Sequence, residues 1–289
     1  MKLEFSLPER ARAEDLGSIA ALLAAVFPRP RPWARELEWQ YLENPAGRAW
    51  IVNACVADGK LLGHYAVLPI PPPDDPRLAS LSTYLSLNVA VHPECQTPGI
   101  MIALTRSLFQ RLQSQGPARV LGVANQNAVA GFTKLLGFRS LGRLSLSIHP
   151  PWRLPSAGPP RALKLDPQVL RWRVARPAAD TFARRSAGAI LRRIGHRGMP
   201  LDGVLAVDLP RDSVERLALP ERPRAFLPFA PRLYASFGDR PGGGLAVPER
   251  LRPSPLHYIY RLFGAAELED QVRDLLSSRR FEFLDFDVM

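Results

Sequence analysis

The chain has 289 residues, which is enough for two domains that each bury a hydrophobic core. Its composition, 46% hydrophobic and 22% charged, excludes a disordered or fibrous protein, and no apolar run approaches the roughly 20 residues of a membrane span. Two cysteines are too few for a disulfide framework, and the first residues lack a signal-peptide core, so we expect a cytoplasmic protein. The net charge of +11 favours a nucleotide-bearing cofactor, an acidic carrier protein, an acidic peptide or nucleic acid as partner.

The first 70 residues predict a strand, two helices and a hairpin. A short strand is expected over residues 3–7, and apolar residues at helical spacing predict a helix over 13–27. A second helix over 33–42 ends before Pro45, which cannot continue it. Apolar and polar residues alternate over 49–70 around Asp58-Gly59, which predicts a hairpin.

Two strand–helix pairs are predicted over residues 80–138. A strand over 80–91 leads through a turn with Gly99 into a helix, and a second strand over 120–123 leads into a helix that ends at Gly137-Phe138. A strand that leads into a glycine-bearing helix N-terminus presents N–H groups and a positive dipole end to an anion, typically a phosphate. Through about residue 148 the order is β-α-α-β-β-β-α-β-α-β, an α/β (α+β) fold with a mixed sheet.

Alternation along the strand over 80–91 divides its side chains between two faces. One face is apolar and is expected to join the core: Leu85, Leu87, Val89 and Val91. The other face carries a more polar row: Tyr84, Ser86, Asn88 and Ala90. This row either borders a substrate cleft or is a solvated face of the sheet.

The second half begins with a proline-rich stretch that supports neither a helix nor a strand ladder. We therefore expect a domain over 1–149, a linker over 150–166 and a second domain over 167–289. Helices are predicted over 168–174 and 267–276, and strands over 204–209 and 281–289.

A weak sequence repeat relates the two halves of the chain. Leu37-Glu-Trp39 is followed by Pro45, and Leu170-Arg-Trp172 is followed by Pro177, one residue out of register. The second half is either a shortened, degenerate copy of the first or an unrelated α+β lid.

The segment Gln96-Thr97-Pro98-Gly99-Ile100-Met101 stands where one family has Arg/Gln-x-x-Gly-x-Gly/Ala. Upstream is Val89-Ala-Val-His-Pro93, and downstream are Asn125-Gln-Asn127 and Lys134-Leu-Leu-Gly137-Phe138. In this order the motifs resemble the acyl-CoA-binding core of the GCN5-related N-acetyltransferase (GNAT) superfamily. The resemblance covers residues 1–148, and the whole layout resembles tandem members with a smaller, degenerate second lobe.

The resemblance implies a GNAT fold in the first lobe and acyl-CoA, either acetyl or longer, as the co-substrate without a metal. The residues it implies for donor binding are Val89, Ala90, Val91, Gln96, Thr97, Gly99, Ile100, Met101, Asn125 and Asn127. Three positions depart from the family pattern. Met101 replaces a small residue, Pro98 removes an N–H donor, and Thr133 stands where the family often has a catalytic tyrosine.

Catalytic candidates must therefore come from other positions. Tyr84 is a candidate acid, and Ser86 and Asn88 are candidate water-positioning groups. His64, in the hairpin, is a candidate base or a hydrogen-bonded structural residue. By resemblance to the enhanced intracellular survival family, whose terminal carboxylate can act as a base, Met289 joins them, with Asp285 and Asp287 as further carboxylates.

The resemblance thus implies an N-acyltransferase that moves an acyl group from acyl-CoA, or from an acidic acyl-carrier protein, to a primary amine. The acceptors to consider are an amino sugar, an aminoglycoside-like antibiotic, or a lysine or ornithine side chain in a peptide natural product. The second lobe is expected to shape the acceptor site. One alternative is a catalytically inactive acyl-CoA-sensing or protein-binding module. Another is a nucleic-acid-binding protein, although the basic stretch 183–197 lacks the interleaved aromatic residues that base stacking requires.

Overall fold

The computed structural model describes residues 3–27, 31–72, 75–95, 98–155, 158–161, 166–177, 179–196, 199–220, 230–237, 244–248 and 254–286. The α-helices within them are α1 (Leu16–Val26), α2 (Trp33–Leu37), α3 (Pro98–Gln113), α4 (Gln126–Leu135), α5 (Pro167–Val174), α6 (Arg211–Glu215), α7 (Glu269–Ser278) and α8 (Phe283–Phe286). The strands are β1 (Leu3–Phe5), β2 (Glu9–Arg10), β3 (Trp50–Val56), β4 (Leu61–Ile70), β5 (Ser82–Val91), β6 (Ala118–Asn125), β7 (Arg139–Arg143), β8 (Ser145–His149), β9 (Thr181–Arg184), β10 (Ala189–His196), β11 (Met199–Ala206), β12 (Arg232–Phe237), β13 (Leu245–Ala246), β14 (Leu256–Phe263) and β15 (Phe281–Glu282).

The chain divides into two compact units, each assembled from two segments. Unit 1 comprises Met1–Ser140 and Ile259–Glu269, and unit 2 comprises Leu141–Tyr258 and Asp270–Met289. This division differs from the boundary expected at residue 149. The difference arises because β8 pairs within the sheet of unit 2, whereas β14, from late in the chain, enters the sheet of unit 1 between β6 and β7. Such long-range strand exchange leaves no local signal in the sequence.

Unit 1 is built on a mixed sheet with the strand order β1-β3-β4-β5-β6-β14-β7, and β2 pairs with β3. Strands β3, β4 and β5 are antiparallel neighbours, and β5 and β6 are parallel. Unit 2 has the order β13-β8-β12-β11-β10-β9, with β11 and β12 parallel. Two mixed sheets with interspersed helices confirm the predicted α/β class.

The hairpin of β3 and β4 confirms the prediction for residues 49–70, and it turns at Gly59, where φ is +84°. The expected alternation of buried and exposed residues is wrong for β4, since all ten of its residues are buried. The cause is that β4 is a central strand covered on both faces. On one of these faces α3 approaches closely, because a Cβ at Gly63 would lie 2.9 Å from Ile100 Cγ2 and 3.0 Å from Leu104 Cδ1.

Helices α3 and α4 close the core of unit 1 over one face of the sheet. Helix α3 contributes buried side chains one turn apart, namely Ile100, Leu104, Leu108 and Leu112. Each such side chain stabilises the fold by about 1.5–3 kcal/mol when it is fully buried. Phe109 joins this core, and its ring centroid lies 4.9 Å from that of Phe263 and 5.9 Å from that of Tyr65. The core therefore ties β14 to the rest of unit 1.

Unit 2 confirms the two predicted helices and corrects the predicted strands. Helix α5 begins after Asp166, whose side chain accepts hydrogen bonds from the backbone N–H groups of Gln168 and Val169. The strand expected over 204–209 is β11, Met199–Ala206. The terminal strand expected over 281–289 is limited to β15, because α8 follows at once and holds Asp285. Asp287 lies outside the described residues.

The predicted linker 150–166 lies within unit 2. Its described part contains neither a helix nor a strand, apart from an isolated parallel bridge between Arg161 and Arg280. A separate finding concerns the helices: no helix in the described ranges is both long and apolar enough to cross a membrane.

Candidate functional site

A fork between the parallel strands β5 and β6 is the main candidate site of unit 1. The two strands pair only over residues 82–85 and 118–121, although both continue for several residues. The remaining edges of β5 over 86–91 and of β6 over 122–125 face the fork, because β4 and β14 take the opposite edges. No strand of the described chain occupies this fork. Its backbone N–H and C=O groups are available to an extended ligand.

A β-bulge at Asn88 shapes this edge of β5. His64 pairs with Ala90 and Ala66 pairs with Leu87, so β5 carries one more residue than β4 between these pairs. Asn88 has φ = +52°, a left-handed conformation that asparagine tolerates better than most residues. The bulge overturns the expected division of faces: Tyr84, on the predicted polar row, packs in the same core as Val89 and Val91.

A chain of hydrogen bonds holds the bulge from the side of the π-helical turn Glu38–Leu42. Asn88 Nδ2 donates to Gln40 Oε1 at 3.0 Å and to the Tyr41 hydroxyl at 2.9 Å. The Tyr41 oxygen lies 2.9 Å from His64 Nε2, and His64 Nδ1 lies 2.7 Å from Asn53 Oδ1. These contacts are all satisfied if Nδ1 carries the proton of a neutral imidazole and Nε2 accepts from Tyr41.

His64 therefore lies in a structural environment. Its side chain is fully buried, and burial lowers its pKa to about 3. Both ring nitrogens are bonded, so the ring has no lone pair left to take the proton of an amine. His64 holds Tyr41, which in turn holds the bulge at Asn88.

Ser86 lies where the fork opens, one residue beyond the last paired residue of β5. The Tyr65 hydroxyl donates to Ser86 Oγ at 2.9 Å. On the facing strand, a Cβ at Gly122 would lie 3.3 Å from Ser86 Cβ, so only glycine allows this close approach without a shift. Having accepted from Tyr65, the Ser86 hydroxyl keeps its own proton to donate to a group in the fork.

The Tyr65 phenol stays protonated at neutral pH. Burial raises its pKa, and the bond to Ser86 and the positive charge of Arg261 offset only part of that rise. Sequence reasoning missed this residue. The available signal was that His64 and Tyr65 are the only polar side chains in the apolar strand β4.

Helix α3 begins at the far end of the fork, beyond β5. Gly99 is exposed, and an added Cβ would meet nothing within 4 Å, whereas Ile100 is buried in the core. Met101 is directed at α4, because a Cβ at Gly131 would lie 3.1 Å from its Cε. The Met101 side chain, larger than the small residue of the family pattern, is thus accommodated between α3 and α4. The donor-binding candidates Gln96 and Thr97 lie outside the described residues.

Helix α4 begins at the end of β6. Asn125 caps it, and its Oδ1 accepts from the Ala128 N–H at 2.9 Å, while Asn127 is exposed in the first turn. The Asn125 amide nitrogen remains as a donor at the mouth of the fork. Thr133, at the family's tyrosine position, donates instead to the Val129 carbonyl at 2.8 Å.

Unit 2 contains a comparable parallel pair, but its fork is filled. Strands β11 and β12 pair over residues 202–204 and 232–234. One edge of β12 pairs with β8 as far as Ser236, so β15, which pairs Ser236 with Glu282, must lie on the same edge as β11. The C-terminal segment of the chain therefore closes this second fork.

Buried ionic contacts hold the C-terminal segment in place. Arg161 bonds Glu282 and Asp285, the latter at 2.6 Å, and the Tyr234 hydroxyl donates to Glu282 at 2.6 Å. Asp285 also accepts from the Glu282 N–H at 2.7 Å. It thus serves as an ion-pair partner in unit 2. Met289 lies outside the described residues.

The structure brings Ser86 and the backbone of Val89, Ala90 and Val91 to one edge of the fork, with the bulge at Asn88 between them. It places Tyr84 and His64 in buried positions. Within the described ranges, no group of three or more histidine, cysteine, aspartate or glutamate side chains is arranged to hold a metal.

Comparisons with known proteins bear on the same region. Residues 17–138 match the sequence model of the Acetyltransferase (GNAT) family. No curated protein sequence matches the chain.

Solved structures with a similar fold cover nearly the whole chain. A GCN5-related N-acetyltransferase from Kribbella flavida has a TM-score of 0.55 at 12% identity, covering 91% of this chain and 72% of that chain. A conserved protein of unknown function from Enterococcus faecalis V583, described as a probable N-acyltransferase, has a TM-score of 0.54 at 9% identity, covering 93% and 74%. Eis1 from Mycobacterium abscessus has a TM-score of 0.53 at 13% identity, covering 97% and 82%. At such identities the likeness is one of fold.

Proposed function

We propose that this chain, whose residues 17–138 form a GNAT acetyltransferase domain, transfers an acyl group from acyl-CoA to a primary amine. The observation that carries the proposal is the open fork of unit 1, which has α3 beginning beyond one of its strands. In this arrangement an extended thioester arm pairs with the free edge of β5, and its phosphates meet the N–H groups at the start of α3.

The direction of the donor follows from this placement. With the phosphates at Gly99, the arm runs back along Val91, Ala90 and Val89, and its acyl end reaches the region of the bulge and Ser86. Residues 86–91 span about 17 Å at the usual rise of a strand. Asn125, at the end of β6, supplies a side-chain donor on the opposite edge of the fork.

Acyl transfer requires the amine nitrogen to attack the thioester carbonyl carbon, so that an N–C bond forms and the C–S bond breaks. One proton leaves the amine, and one is gained by the coenzyme A thiolate. The raised pKa of Tyr65 makes it a poor proton donor to a thiolate. We therefore assign Ser86 as a hydrogen-bond donor to the developing negative charge, oriented by Tyr65.

Asn88 is the candidate residue for binding the amine of the acceptor substrate. Both hydrogens of its Nδ2 are used by Gln40 and Tyr41, so its Oδ1 is left as an acceptor for an N–H of the substrate or for a bridging water. Among the described residues, the hydrogen-bond chain from Asn88 through Tyr41 to His64 contains no carboxylate, and neither does the pair of Tyr65 and Ser86. We therefore expect the amine proton to leave through solvent.

The donor and the acceptor are proposed only as chemical classes. Acetyl and longer acyl groups both fit the proposal, as does delivery by an acidic carrier protein. Amino sugars, aminoglycoside-like molecules and lysine or ornithine side chains are the acceptors to test. The role expected for the second half, shaping the acceptor site, stays a prediction.

An acyl-CoA-sensing module is the second candidate, because Thr133 bonds its own helix and offers no phenol at the family's tyrosine position. Native mass spectrometry with acetyl-CoA, followed by thiol release across an amine panel, separates the candidates. We expect one acetyl-CoA per chain, since the fork of unit 2 is filled, together with turnover on at least one amine. Saturable binding without turnover on any amine would favour the sensor, and absence of binding to any CoA thioester would overturn both.

A further inference from the structure

A cluster of buried hydrogen-bond donors lies on one face of the sheet of unit 2. Arg232 begins β12 and pairs across the sheet with His149 at the end of β8, so their side chains share a face. Arg232 also pairs with Asp202 of β11. None of these residues belongs to the fork of unit 1.

The donors in this cluster have no acceptors in the described chain. Arg232 is only 7% exposed, yet its Nε and Nη1 atoms are buried and make no hydrogen bond to any described residue. The same is true of Arg184 Nη1 and of His149 Nδ1. His149 Nε2 lies 2.9 Å from the Ser147 hydroxyl, so a neutral ring that accepts there carries its proton on the unpartnered Nδ1.

The charges within the cluster repel one another. The positive charge of Arg184 acts on Arg232, and those of Arg153 and Arg232 act on His149. The Asp202 carboxylate attracts Arg232, but it is shared with Arg193, whose Nε binds it at 3.0 Å. Burial lowers the pKa of Arg232 to about 10, which still leaves it charged at neutral pH. Buried cations that outnumber the carboxylate beside them, with unfilled donors, call for a compensating anion.

We propose that unit 2 contains a binding site for an oxyanion, a phosphate or carboxylate group, formed by Arg232, Arg184 and His149. A ligand there must accept hydrogen bonds and carry negative charge, since every unfilled group is a donor and two of the three are cationic. A cation is excluded by repulsion, and a neutral amide would leave the charges uncompensated. Two guanidinium groups facing one ligand are the usual partners of phosphate and carboxylate.

The test measures the thermal stability of the full chain in inorganic phosphate and, separately, in acetate, at constant ionic strength. Coenzyme A is present at saturation so that phosphate subsites elsewhere are filled. We expect a saturable rise in Tm with at least one anion, and the anion that produces it identifies the chemistry. Phosphate also stabilises proteins generally, but that effect is not saturable.

Arg232→Met removes the charge while keeping much of the side-chain volume, and Arg211→Met is the matched control on the exposed part of α6. Arg232→Met should weaken anion binding about tenfold or more, by loss of a charge-assisted contact, while Arg211→Met retains it. If Arg232→Met does not fold, Arg184→Met carries the same expectation. The proposal is overturned if the folded variant keeps the wild-type response, or if neither anion gives a saturable rise in the wild type.

Discussion

The Tyr65 hydroxyl donates to Ser86 Oγ at 2.9 Å, which joins the buried core of unit 1 to the point where its fork opens. The Tyr65 ring packs edge-on against Phe109 and is fully buried. The donor of this bond is therefore fixed by the core. Ser86 is only half-buried, and the hydrogen bond from Tyr65 fixes the orientation of its hydroxyl from the side of the core.

Tyr65→Phe should lower kcat about tenfold and leave the KM for the donor unchanged, because Ser86 loses its orienting partner. Ser86→Ala should lower kcat about 100-fold, the usual loss on removal of a preorganised donor. The control is Tyr84→Phe, which changes another buried tyrosine in the same core and should leave kcat unaltered. A loss in Tyr84→Phe equal to that in Tyr65→Phe would contradict the assignment.

Asn88→Ala and Asn88→Gly separate the backbone role of Asn88 from its side-chain role. Both variants lose the bonds to Gln40 and Tyr41, but only alanine is strained at φ = +52°. Asn88→Ala should therefore be less stable than Asn88→Gly by about 1 kcal/mol, as measured by urea unfolding. Equal stabilities would argue against a strained bulge at this position.

His64 makes the stability of unit 1 depend on pH. Its folded pKa of about 3 lies below the ordinary value of 6.5, so the unfolded chain binds the proton more readily. The contribution of the neutral ring is fully present above pH 6.5 and is lost as the pH falls towards 3. The slope of the unfolding free energy reaches about 1.4 kcal/mol per pH unit for one such group.

Urea unfolding of His64→Gln and the wild type at pH 7 and pH 5 measures the contribution of the neutral His64 ring to the unfolding free energy. The variant should be less stable at pH 7 and should lose less stability on acidification. His92→Gln, which changes a half-buried histidine outside the network, should keep the wild-type slope. If the unfolding free energy of His64→Gln changed with pH as steeply as that of the wild type, His64 would not be held neutral in the folded protein.

Glu282 should be essential to the C-terminal closure of unit 2. Its carboxylate is fully buried between Arg161 and the Tyr234 hydroxyl, so Glu282→Gln removes one of the two carboxylates that bind Arg161 and leaves Asp285 as the other. We expect a loss of about 1.5–3 kcal/mol, the usual contribution of a hydrogen bond to a charged group, with faster proteolysis after residue 280. Asp274→Asn, in an exposed pair with Arg273, should change stability by less than about 1 kcal/mol. Equal effects of the two variants would contradict the proposed closure.

Local signals in the sequence predicted much of unit 1. Asp58-Gly59 marked the hairpin, and the pattern over residues 98–138 marked α3, β6 and α4. The bulge was not predictable from alternation, because a single inserted residue at Asn88 reverses the face of every residue after it. The entry of β14 into unit 1 and of β15 into the second fork depends on pairing between segments far apart in sequence.

The sequence indicated the region of the candidate site, and the structure shows which of the predicted residues line the fork. Ser86 and Val89–Val91 lie along the fork, whereas Tyr84 packs in the core of unit 1 and His64 is held in the Tyr41 network. Tyr65 was missed because an aromatic residue in an apolar strand looks like core. The roles of Gln96, Thr97 and Met289, which lie outside the described residues, stay predictions.

The most direct test of the donor fork compares Gly99→Glu with Gly17→Glu by calorimetric titration with acetyl-CoA. Both glycines are the second residue of a helix, and neither would meet an atom within 4 Å of an added Cβ. An acidic side chain in the first turn does not destabilise a helix, so both variants should fold. Gly99→Glu should abolish donor binding by repelling the phosphates, and Gly17→Glu should bind like the wild type. Wild-type affinity in Gly99→Glu would contradict the proposed donor site.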